Sequence, residues 1–287
     1  MTKILSELIT DKTSILDLTS NEKMSDIEKI EVLDLNGTSE HVKKEYIKNM
    51  YYKRKCWYYF KKDKNNYEYP FSIIDELMGM FLCKNIGLNT LDYKISIVDD
   101  NYGLASKNFK TDEYVYHTFS SLIGNLSSDE KKYSLDLLKL FCINKENEQK
   151  LLENIFKMFT IDILMLQKDR CGVNLQFQIK KDNEEIDLAP MYDFSNCSRV
   201  ILCNYKVWNQ RNVILDLNEN NLNFLLQNYP EFKKYLEFCL EQQLSDIWSK
   251  VCEVYNLNQD CALYERISDY YKIKEDSVKS YVRQLIK

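Results

Sequence analysis

The sequence contains very little histidine, proline and glycine. Of its 287 residues, two are histidine, three are proline and six are glycine. The histidines, His41 and His117, stand far apart, and neither has an acidic residue or a cysteine at metal-ligand spacing. Ser-His-Asp or Cys-His catalysis would therefore depend on one isolated histidine, and a metal site with several histidines is almost excluded. Any catalysis is expected to use carboxylates, amides, lysines and a metal ion held by oxygen.

The sequence also lacks a C-x-x-C pair and a long apolar run. Its nine cysteines are scattered from Cys56 to Cys261, which favours reduced and mostly buried thiols over disulfides or structural zinc. The first residues, MTKILSELITDKTS, include no long apolar region, and no stretch is apolar for long enough to span a bilayer. We therefore expect no signal peptide, no membrane partner and a cytoplasmic protein.

No charge of one sign is in large excess. The formal net charge is -5 and 45% of the residues are hydrophobic, which is typical of an ordinary globular protein. One basic cluster, KKEYIKNMYYKRKCWYYFKKDK, carries aromatic residues at strand spacing, and this spacing favours solvated strand faces. The sequence predicts no direct nucleic-acid partner.

The first half of the chain predicts strands around one helix. EVLDL, KKEYI and CWYYFKK are strand-like, and the first two are joined through NGTSEH with a turn at Asn36–Gly37. FSIIDELMGMFLCKNIGLNT repeats apolar residues at helical spacing, and Gly87 is expected to end this helix. YKISIVDD and YGLASKNF follow as two strands around an Asp-Asn turn.

The second half predicts mainly helices. SSDEKKYSLDLLKLF has a helix start at Ser128, and NEQKLLENIFKMFTIDILMLQ is a long apolar helix. LQFQIK and IDLAP form a small hairpin, and packed helices follow Leu215, one of them opening at Pro230. We therefore predict an α+β fold with two lobes: a strand-rich N-lobe over residues 1–110 and a mainly helical C-lobe over residues 111–287. A cleft between lobes is the expected ligand site.

Three oxygen-bearing side chains are predicted to meet beside the hairpin. Asp169 and Asn174 share the loop in LMLQKDRCGVNLQFQ, between a buried helix and a strand, and Asp193 follows the hairpin that turns the chain back. Mg²⁺ prefers oxygen ligands and usually takes one or two carboxylates. In phosphoryl transfer one Asp acts on the acceptor hydroxyl, while an Asn and a second Asp hold the metal. Each residue could instead simply cap or turn the chain, but their combination favours catalysis.

The first half supplies residue types that a nucleotide site needs. Lys61 or Lys62, at the end of CWYYFKK, could reach a phosphate, although each by itself is more simply an exposed strand lysine. NGTSEH places a glycine and two hydroxyls before a strand, where backbone amides can approach phosphates. The helix with Asp75 and Glu76 could supply the acid that positions the lysine.

Over roughly residues 35–200 the chain resembles the HipA-like serine/threonine kinases, including compact single-chain bacterial kinases of the HipA/CtkA type. IDILMLQKDRCGVNLQF resembles their catalytic loop, and EIDLAPMYDFS resembles their L-x-P-x-Y-D metal-binding segment. DELMGMFLCKNIGLNTLDYKI is similar to their helix and following strand. WYYFK resembles the lysine-bearing strand, and YGLASKNF resembles the strand entering the adenine hinge. The resemblance implies a protein-kinase-like fold that uses ATP and Mg²⁺.

The resemblance also implies a role for each motif residue. Asp169 would be the catalytic base, and Asn174 and Asp193 would hold Mg²⁺. The ATP-binding positions would be Lys61, Gly37, Thr38, Ser39, Glu76, Lys107 and Phe109, with Phe109 and its neighbours at the adenine hinge. The sequence departs from the family at Cys171, where histidine is common. That position has no metal or proton-transfer role, so activity is expected to survive.

The implied function is an ATP- and Mg²⁺-dependent kinase acting on Ser or Thr hydroxyls of a protein substrate. Many relatives are toxins with an antitoxin protein as partner, and some are secreted effectors, so both an antitoxin and secretion stay open. Autophosphorylation of Thr38 or Ser39 would oppose ATP's phosphates with added charge. Two alternatives remain: a kinase-fold phosphotransferase for a small molecule or lipid, and an inactive pseudokinase that binds a partner.

Overall fold

The computed structural model describes residues 4–13, 15–19, 50–53, 56–63, 71–167, 169–170, 172, 174–195, 197 and 211–287. The predicted strands EVLDL and KKEYI lie outside these residues, as does the turn between them. Gly37, Thr38, Ser39 and Cys171 lie outside them too, so the expectations about these positions stay predictions.

A five-stranded sheet and one long helix form the N-terminal part of the described chain. The strands are β1 Leu16–Asp17, β2 Met50–Lys53, β3 Cys56–Lys62, β4 Tyr93–Val98 and β5 Asn101–Lys107, in the order β1-β4-β5-β3-β2. β1 runs parallel to β4, and the other neighbours are antiparallel. A short helix, α1 Ile4–Leu8, precedes the sheet, and α2 Ser72–Ile86 lies between β3 and β4 in the chain. The predictions of β3, α2, β4 and β5 are confirmed.

Residues with positive φ make the turns that the sequence predicts here. α2 ends at Gly87, whose φ of 70° is left-handed and causes glycine no steric strain. Asp99 and Asp100, with φ of 45° and 59°, form the two-residue turn between β4 and β5, as in a type I′ hairpin. The predicted turn is therefore present, but both of its central residues are aspartates and Asn101 already belongs to β5.

Helices dominate the C-terminal part. They are α3 Phe119–Ile123, α4 Ser134–Lys139, α5 Lys145–Met165, α6 Glu219–Asn228, α7 Phe232–Glu241, α8 Leu244–Tyr255 and α9 Ala262–Leu285. The long apolar helix is confirmed as α5. A 3₁₀ turn, Glu130–Tyr133, precedes α4. The residue that caps this turn is Asp129 and not the predicted Ser128, and it makes no side-chain cap hydrogen bond. Just before it, the amide and hydroxyl of Ser127 donate to the Glu130 carboxylate at 2.9 and 2.6 Å.

Two small sheets surround the loop predicted to be catalytic. β6 Tyr114–Thr118, β8 Gln176–Lys180 and β9 Ile186–Leu188 form an antiparallel sheet, so the predicted β8–β9 hairpin is confirmed. β7 Asp169–Arg170 pairs in parallel with β10 Arg211–Asn212. After the hairpin, the Met191 amide donates to the Asn89 carbonyl at 2.9 Å, and the Leu91 amide donates to the Met191 carbonyl at 3.2 Å. The segment leading to Asp193 is thereby attached to the loop that follows α2.

The large hydrophobic core joins α2 to the C-terminal helices. Leu77 of α2, Phe156 of α5 and Trp248 of α8 are fully buried in it. A second cluster covers the sheet's other face and consists of Leu16, Leu18, Tyr51, Tyr58, Phe60, Val98 and Ala105. Successive side chains of a strand point to opposite faces. Phe60 therefore belongs to the second cluster, whereas Lys61 faces α2.

Two findings bear on the expectations about cysteines and membranes. Cys83, Cys197, Cys239 and Cys252 are free and buried, in agreement with the predicted reduced thiols. Burial is the largest cause that raises the pKa of each of these four thiols. Within the described residues, every helix is too short or too polar to cross a membrane.

Candidate active site

Lys61 lies at the centre of a group of polar side chains from three parts of the chain. From β3, its ammonium donates to Asp193 Oδ1 at 2.7 Å and to Ser195 Oγ at 3.0 Å, and it forms an ion pair with Glu76 of α2. The Lys61 side chain is 27% exposed, whereas that of Glu76 is fully buried. Of the two candidate lysines, Lys61 meets the carboxylates, and Lys62 is exposed on the strand. Of the two candidate acids in α2, Glu76 is the one that contacts the lysine.

Tyr93 holds the other oxygen of Glu76. The Tyr93 hydroxyl, at the start of β4, donates to Glu76 Oε2 at 3.0 Å. Burial, and after it the Glu76 charge, raise the pKa of Tyr93, so the phenol remains a donor. The Tyr93 carbonyl in turn accepts from the Tyr255 hydroxyl of α8 at 2.6 Å. Glu76 is therefore fixed by the sheet on one side and, through Tyr93, by the helical part of the chain.

Asp193 has the backbone conformation of a constrained residue. Its φ is 60°, a left-handed value that is uncommon outside glycine and that clusters at functional sites. Its carbonyl accepts from Gln167 Nε2 at 2.7 Å, and its carboxylate accepts from the Ser195 hydroxyl at 2.7 Å. These contacts fix both the backbone and the carboxylate of Asp193.

Asp193 and Lys61 stabilise each other's charge. Burial would raise the pKa of Asp193, but the Lys61 ammonium and the hydrogen bonds outweigh it and lower the pKa to about 2. Burial would likewise lower the pKa of Lys61, but Asp193 and Glu76 outweigh it and raise the pKa. Both groups are therefore charged at neutral pH.

Arg170 connects the predicted catalytic loop to the Asp193 segment. Its guanidinium is fully buried and pairs with Asp162 of α5 at 2.7 Å. Its Nη1 donates to the Asn174 carbonyl at 3.2 Å and to the Tyr192 carbonyl at 2.7 Å. Because one nitrogen donates to both carbonyls, the backbone carbonyls of Asn174 and Tyr192 lie close together. The guanidinium thus brings the backbone at Asn174 close to the backbone before Asp193, and the predicted meeting of the Asn174 and Asp193 side chains stays a prediction.

Phe194 fixes the Asp193 segment against α2. A Cβ built on Gly79 would lie 2.3 Å from Phe194 Cγ, so glycine at this helical position lets the ring lie directly on the helix. The Arg170 guanidinium carbon is 4.9 Å from the centre of the same ring, within the range of a cation–π contact. The ring itself is fully buried. Asp193 is thus one residue away from an aromatic side chain that has little room to move.

Asp169 lies in β7, where its backbone pairs with Arg211, while Arg170 pairs with Asn212. The Asn212 side chain donates to Asp162 Oδ2 at 3.0 Å, so Asp162 holds both paired strands. The structure describes the backbone of Asp169 and not its side chain, so its role as a base stays a prediction.

The predicted hinge residues follow the end of β5. Lys107 is exposed at the last position of the strand. The Phe109 ring is 5.6 Å from the ring of Tyr116 and 5.9 Å from the ring of Tyr192. Since Tyr192 directly precedes Asp193, the structure places Phe109 beside the same segment. The ATP-binding role of Lys107 and Phe109 stays a prediction.

The donor set suits Mg²⁺ bound together with phosphates. In the described part of the chain, no three His, Cys, Asp or Glu side chains come together to hold a metal ion. Mg²⁺ commonly takes only one or two carboxylates and completes its shell with water and substrate phosphates. Asp193 offers an ionised carboxylate with 26% exposure, and Asn174 offers an amide. Such oxygen donors are of the kind that Mg²⁺ takes together with phosphates, and the roles of Asp193, Asn174 and Lys61 at such a site stay predictions.

Sequence reasoning missed Asp162, Arg170, Tyr93 and Ser195. One signal was available: Asp162 interrupts the apolar run FTIDILML, and a carboxylate on a buried helix needs a charged or hydrogen-bonding partner. Ser195 appears in the sequence only as the last residue of EIDLAPMYDFS. Nothing in the sequence distinguishes Tyr93 from the other tyrosines.

The strand-rich sheet with one long helix, followed by the helical region that carries the Asp193 segment, is the fold of the HipA- and CtkA-like kinases. The structure is similar to the crystal structure of the Helicobacter pylori proinflammatory kinase CtkA, with a TM-score of 0.54 and 16% sequence identity. That match covers 95% of this chain and 100% of CtkA. The predicted α+β, two-lobed, protein-kinase-like fold is therefore confirmed.

A second similar structure is the Shewanella oneidensis MR-1 toxin–antitoxin complex of HipA, HipB and operator DNA. Its matched chain gives a TM-score of 0.54 at 13% identity, over 83% of this chain. The match spans 64% of that chain, which is less than two thirds of its length. No protein-family model matches the sequence, and a search of the curated proteins gives no match. At these identities the likeness shows the fold.

Proposed function

We propose that the protein is an ATP- and Mg²⁺-dependent kinase that phosphorylates Ser or Thr hydroxyls of a protein substrate. The observation that carries this proposal is the contact of Lys61 with both Glu76 and Asp193. In protein kinases a strand lysine pairs with a helix glutamate, while an aspartate and an asparagine hold the metal ions. The likeness in fold to CtkA and to the HipA complex supports the same assignment.

In this mechanism each side chain has one task. Lys61 binds phosphate oxygens of ATP, and Glu76 and Tyr93 hold its ammonium in position. Asp193 and Asn174 would hold Mg²⁺, which would supply positive charge to the phosphates. The 2.7 Å contact between Asp193 and the Lys61 ammonium supports neighbouring roles for these two residues. Asp169 accepts the proton of the acceptor hydroxyl.

The proposal also assigns the two lobes, the phosphate loop and the adenine hinge. Residues 1–110 form the N-lobe, in which Gly37, Thr38 and Ser39 line the phosphate loop, and residues 111–287 form the C-lobe. Lys107 and Phe109 border the adenine. Autophosphorylation of Thr38 or Ser39 would turn the activity off by placing negative charge against the ATP phosphates.

A toxin role with an antitoxin protein as partner is part of the proposal. The observation that supports it is the likeness to a structure in which HipA is bound to HipB. Co-purification of the protein with the product of a neighbouring small gene would test it, and toxicity that such a product leaves unchanged would argue against it.

The kinase proposal is tested by phosphate transfer from radiolabelled ATP to the protein itself and to protein substrates. Lys61→Met, Asp193→Asn and Asp169→Ala should each lower transfer by about 10²-fold or more, and chelation of Mg²⁺ should abolish it. Lys62→Met is the matched control, because it removes the exposed neighbouring lysine, and it should keep wild-type transfer. Phosphoamino acid analysis should find phosphoserine or phosphothreonine.

Three outcomes would count against the proposal. Full transfer by Asp193→Asn would contradict the assigned metal site. Transfer to small molecules or lipids but not to proteins would favour the phosphotransferase alternative. Binding of ATP with no transfer to any acceptor would favour the pseudokinase.

A further inference from the structure

Helix α9 carries buried polar side chains that the proposed reaction does not use. Lys274 and Asp75 are both fully buried, with Nζ and Oδ1 3.6 Å apart. The Tyr271 hydroxyl donates to the same Oδ1 at 2.9 Å. Lys274 Nζ has no hydrogen-bond partner in the described part of the chain and lies 5.1 and 5.4 Å from the ring centres of Tyr270 and Tyr271. Burying such an ion is costly unless its partners compensate.

Asp75 directly precedes Glu76 in α2. Consecutive helical residues point about 100° apart, so the two carboxylates leave the helix in different directions. Asp75 reaches α9, and Glu76 reaches Lys61. A rotation of α2 about its axis would therefore disturb both contacts together.

The same part of α9 also holds the segment that follows Asp193. The Tyr270 hydroxyl donates to the Cys197 carbonyl at 3.4 Å, and the Cys197 amide donates to the Phe194 carbonyl at 3.2 Å. The Tyr270 ring also packs edge-on against Phe71 at the start of α2, with 4.9 Å between centroids. Both carboxylates that contact Lys61 are thus carried by segments attached to α9.

We propose that Tyr270, Tyr271 and Lys274, together the α9 cluster, are positioning residues that hold Glu76 and Asp193 against Lys61. The C-terminal helix thereby sets the affinity for ATP without touching the nucleotide. The claim about ATP rests on the proposed function. The claim that α9 fixes α2 rests on the contacts alone.

The test is a double-mutant cycle read out by the dissociation constant of Mg²⁺–ATP. Tyr271→Phe removes one hydrogen bond to Asp75 and should raise this constant about tenfold. Lys272→Met, an exposed lysine on the same helix, is the control and should leave it unchanged. In a Glu76→Gln background, Tyr271→Phe should have little further effect, because the path through Glu76 is already broken. A general loss of stability would instead give additive effects.

Hydrogen exchange of the α2 amides, measured without nucleotide, separates this inference from the proposed function. Tyr271→Phe and Lys274→Met should speed exchange in the first turns of α2, and Lys272→Met should not. Should Lys274→Met fail to fold, Tyr271→Phe still decides, since it keeps the buried ion pair.

The outcomes are then distinct. If the wild type binds no ATP, the proposed function fails. The claim that α9 fixes α2 is then tested by hydrogen exchange of the α2 amides alone. Unchanged exchange in Tyr271→Phe overturns the inference. If the wild type binds ATP, two further results overturn the inference. One is a dissociation constant of Mg²⁺–ATP that Tyr271→Phe leaves unchanged. The other is a constant that Tyr271→Phe raises equally in the wild-type and Glu76→Gln backgrounds.

Discussion

Replacement of Gly79 by alanine would force apart two segments that the proposed site needs together. A Cβ at this position would lie 2.3, 2.4 and 2.8 Å from three ring carbons of Phe194, whereas carbon atoms pack best at about 3.5–4.0 Å. The ring or the helix must therefore move by about 1 Å. The ring is fully buried and lies against Arg170, so it cannot turn into solvent.

Two effects of opposite sign decide the stability of Gly79→Ala. In a helix interior the change by itself stabilises by about 0.5–1 kcal/mol, since alanine loses less conformational entropy. Forcing a methyl group into a packed core costs about 1–3 kcal/mol. The two ranges together give a net loss of up to about 2.5 kcal/mol. A shift of about 1 Å at Phe194 would also lengthen the 2.7 Å contact of Asp193 with Lys61 beyond hydrogen-bond range, so Mg²⁺–ATP should bind more weakly.

Urea unfolding and calorimetric titration with Mg²⁺–ATP measure both effects. Phe194→Ala supplies the control background, because alanine lacks the Cγ and Cδ atoms that the new methyl group would overlap. Gly79→Ala should be destabilising in the wild type and neutral or stabilising in Phe194→Ala. If alanine stabilised the protein by the usual helix increment in both backgrounds, with ATP affinity unchanged, the reasoning would be refuted.

Three further predictions concern the buried charges. Arg170→Met should destabilise the protein by about 3–5 kcal/mol in urea unfolding, because the Asp162 carboxylate is left buried without its charged partner. The double variant Arg170→Met/Asp162→Leu should recover most of this loss. If Arg170→Met were as stable as the wild type, the pairing would be contradicted. Asp193, with its pKa lowered from 3.8 to about 2, contributes stability that is complete above about pH 4 and is lost as pH falls through about 2. Asp193→Asn should therefore flatten the acid limb of the stability curve, and an unaltered limb would argue against the ion pair. Tyr93→Phe should lower stability by about 1.5–3 kcal/mol and weaken ATP binding, since the buried Glu76 carboxylate loses a donor; thermal unfolding and titration identical to wild type would exclude this role.

The elements around the site could be predicted because their patterns are local. The helical repeat of α2, the closing Gly87 and the alternation of β8 depend on neighbours within a few residues. The fold class followed from the order of these elements. The turn between β4 and β5 and the cap at Asp129 each lie slightly away from their predicted positions, because the ends of elements are the least determined by pattern.

The contacts that assemble the site could not be predicted in the same way. Asp75 and Glu76 are adjacent acids on one helix, and only the packing of α2 decides which of them meets Lys61. Arg170 appears in the sequence as one letter of a loop, yet its guanidinium joins α5, the Asn174 carbonyl and the Tyr192 carbonyl. Such contacts depend on distances between segments far apart in the chain, which residue spacing does not contain.

The buried thiols make local opening of the molecule measurable without any substitution. Alkylating reagents attack the thiolate, so a fully buried cysteine reacts only when its surroundings transiently open. Cys83 lies on α2 and Cys197 on the segment after Asp193, while Cys239 and Cys252 lie on α7 and α8. The partly exposed Cys261 supplies a reference in the same sample. Alkylation rates measured by mass spectrometry would thus report separately how often α2 opens, through Cys83, and how often the segment after Asp193 opens, through Cys197. The rates of Cys239 and Cys252 would report the opening of α7 and α8.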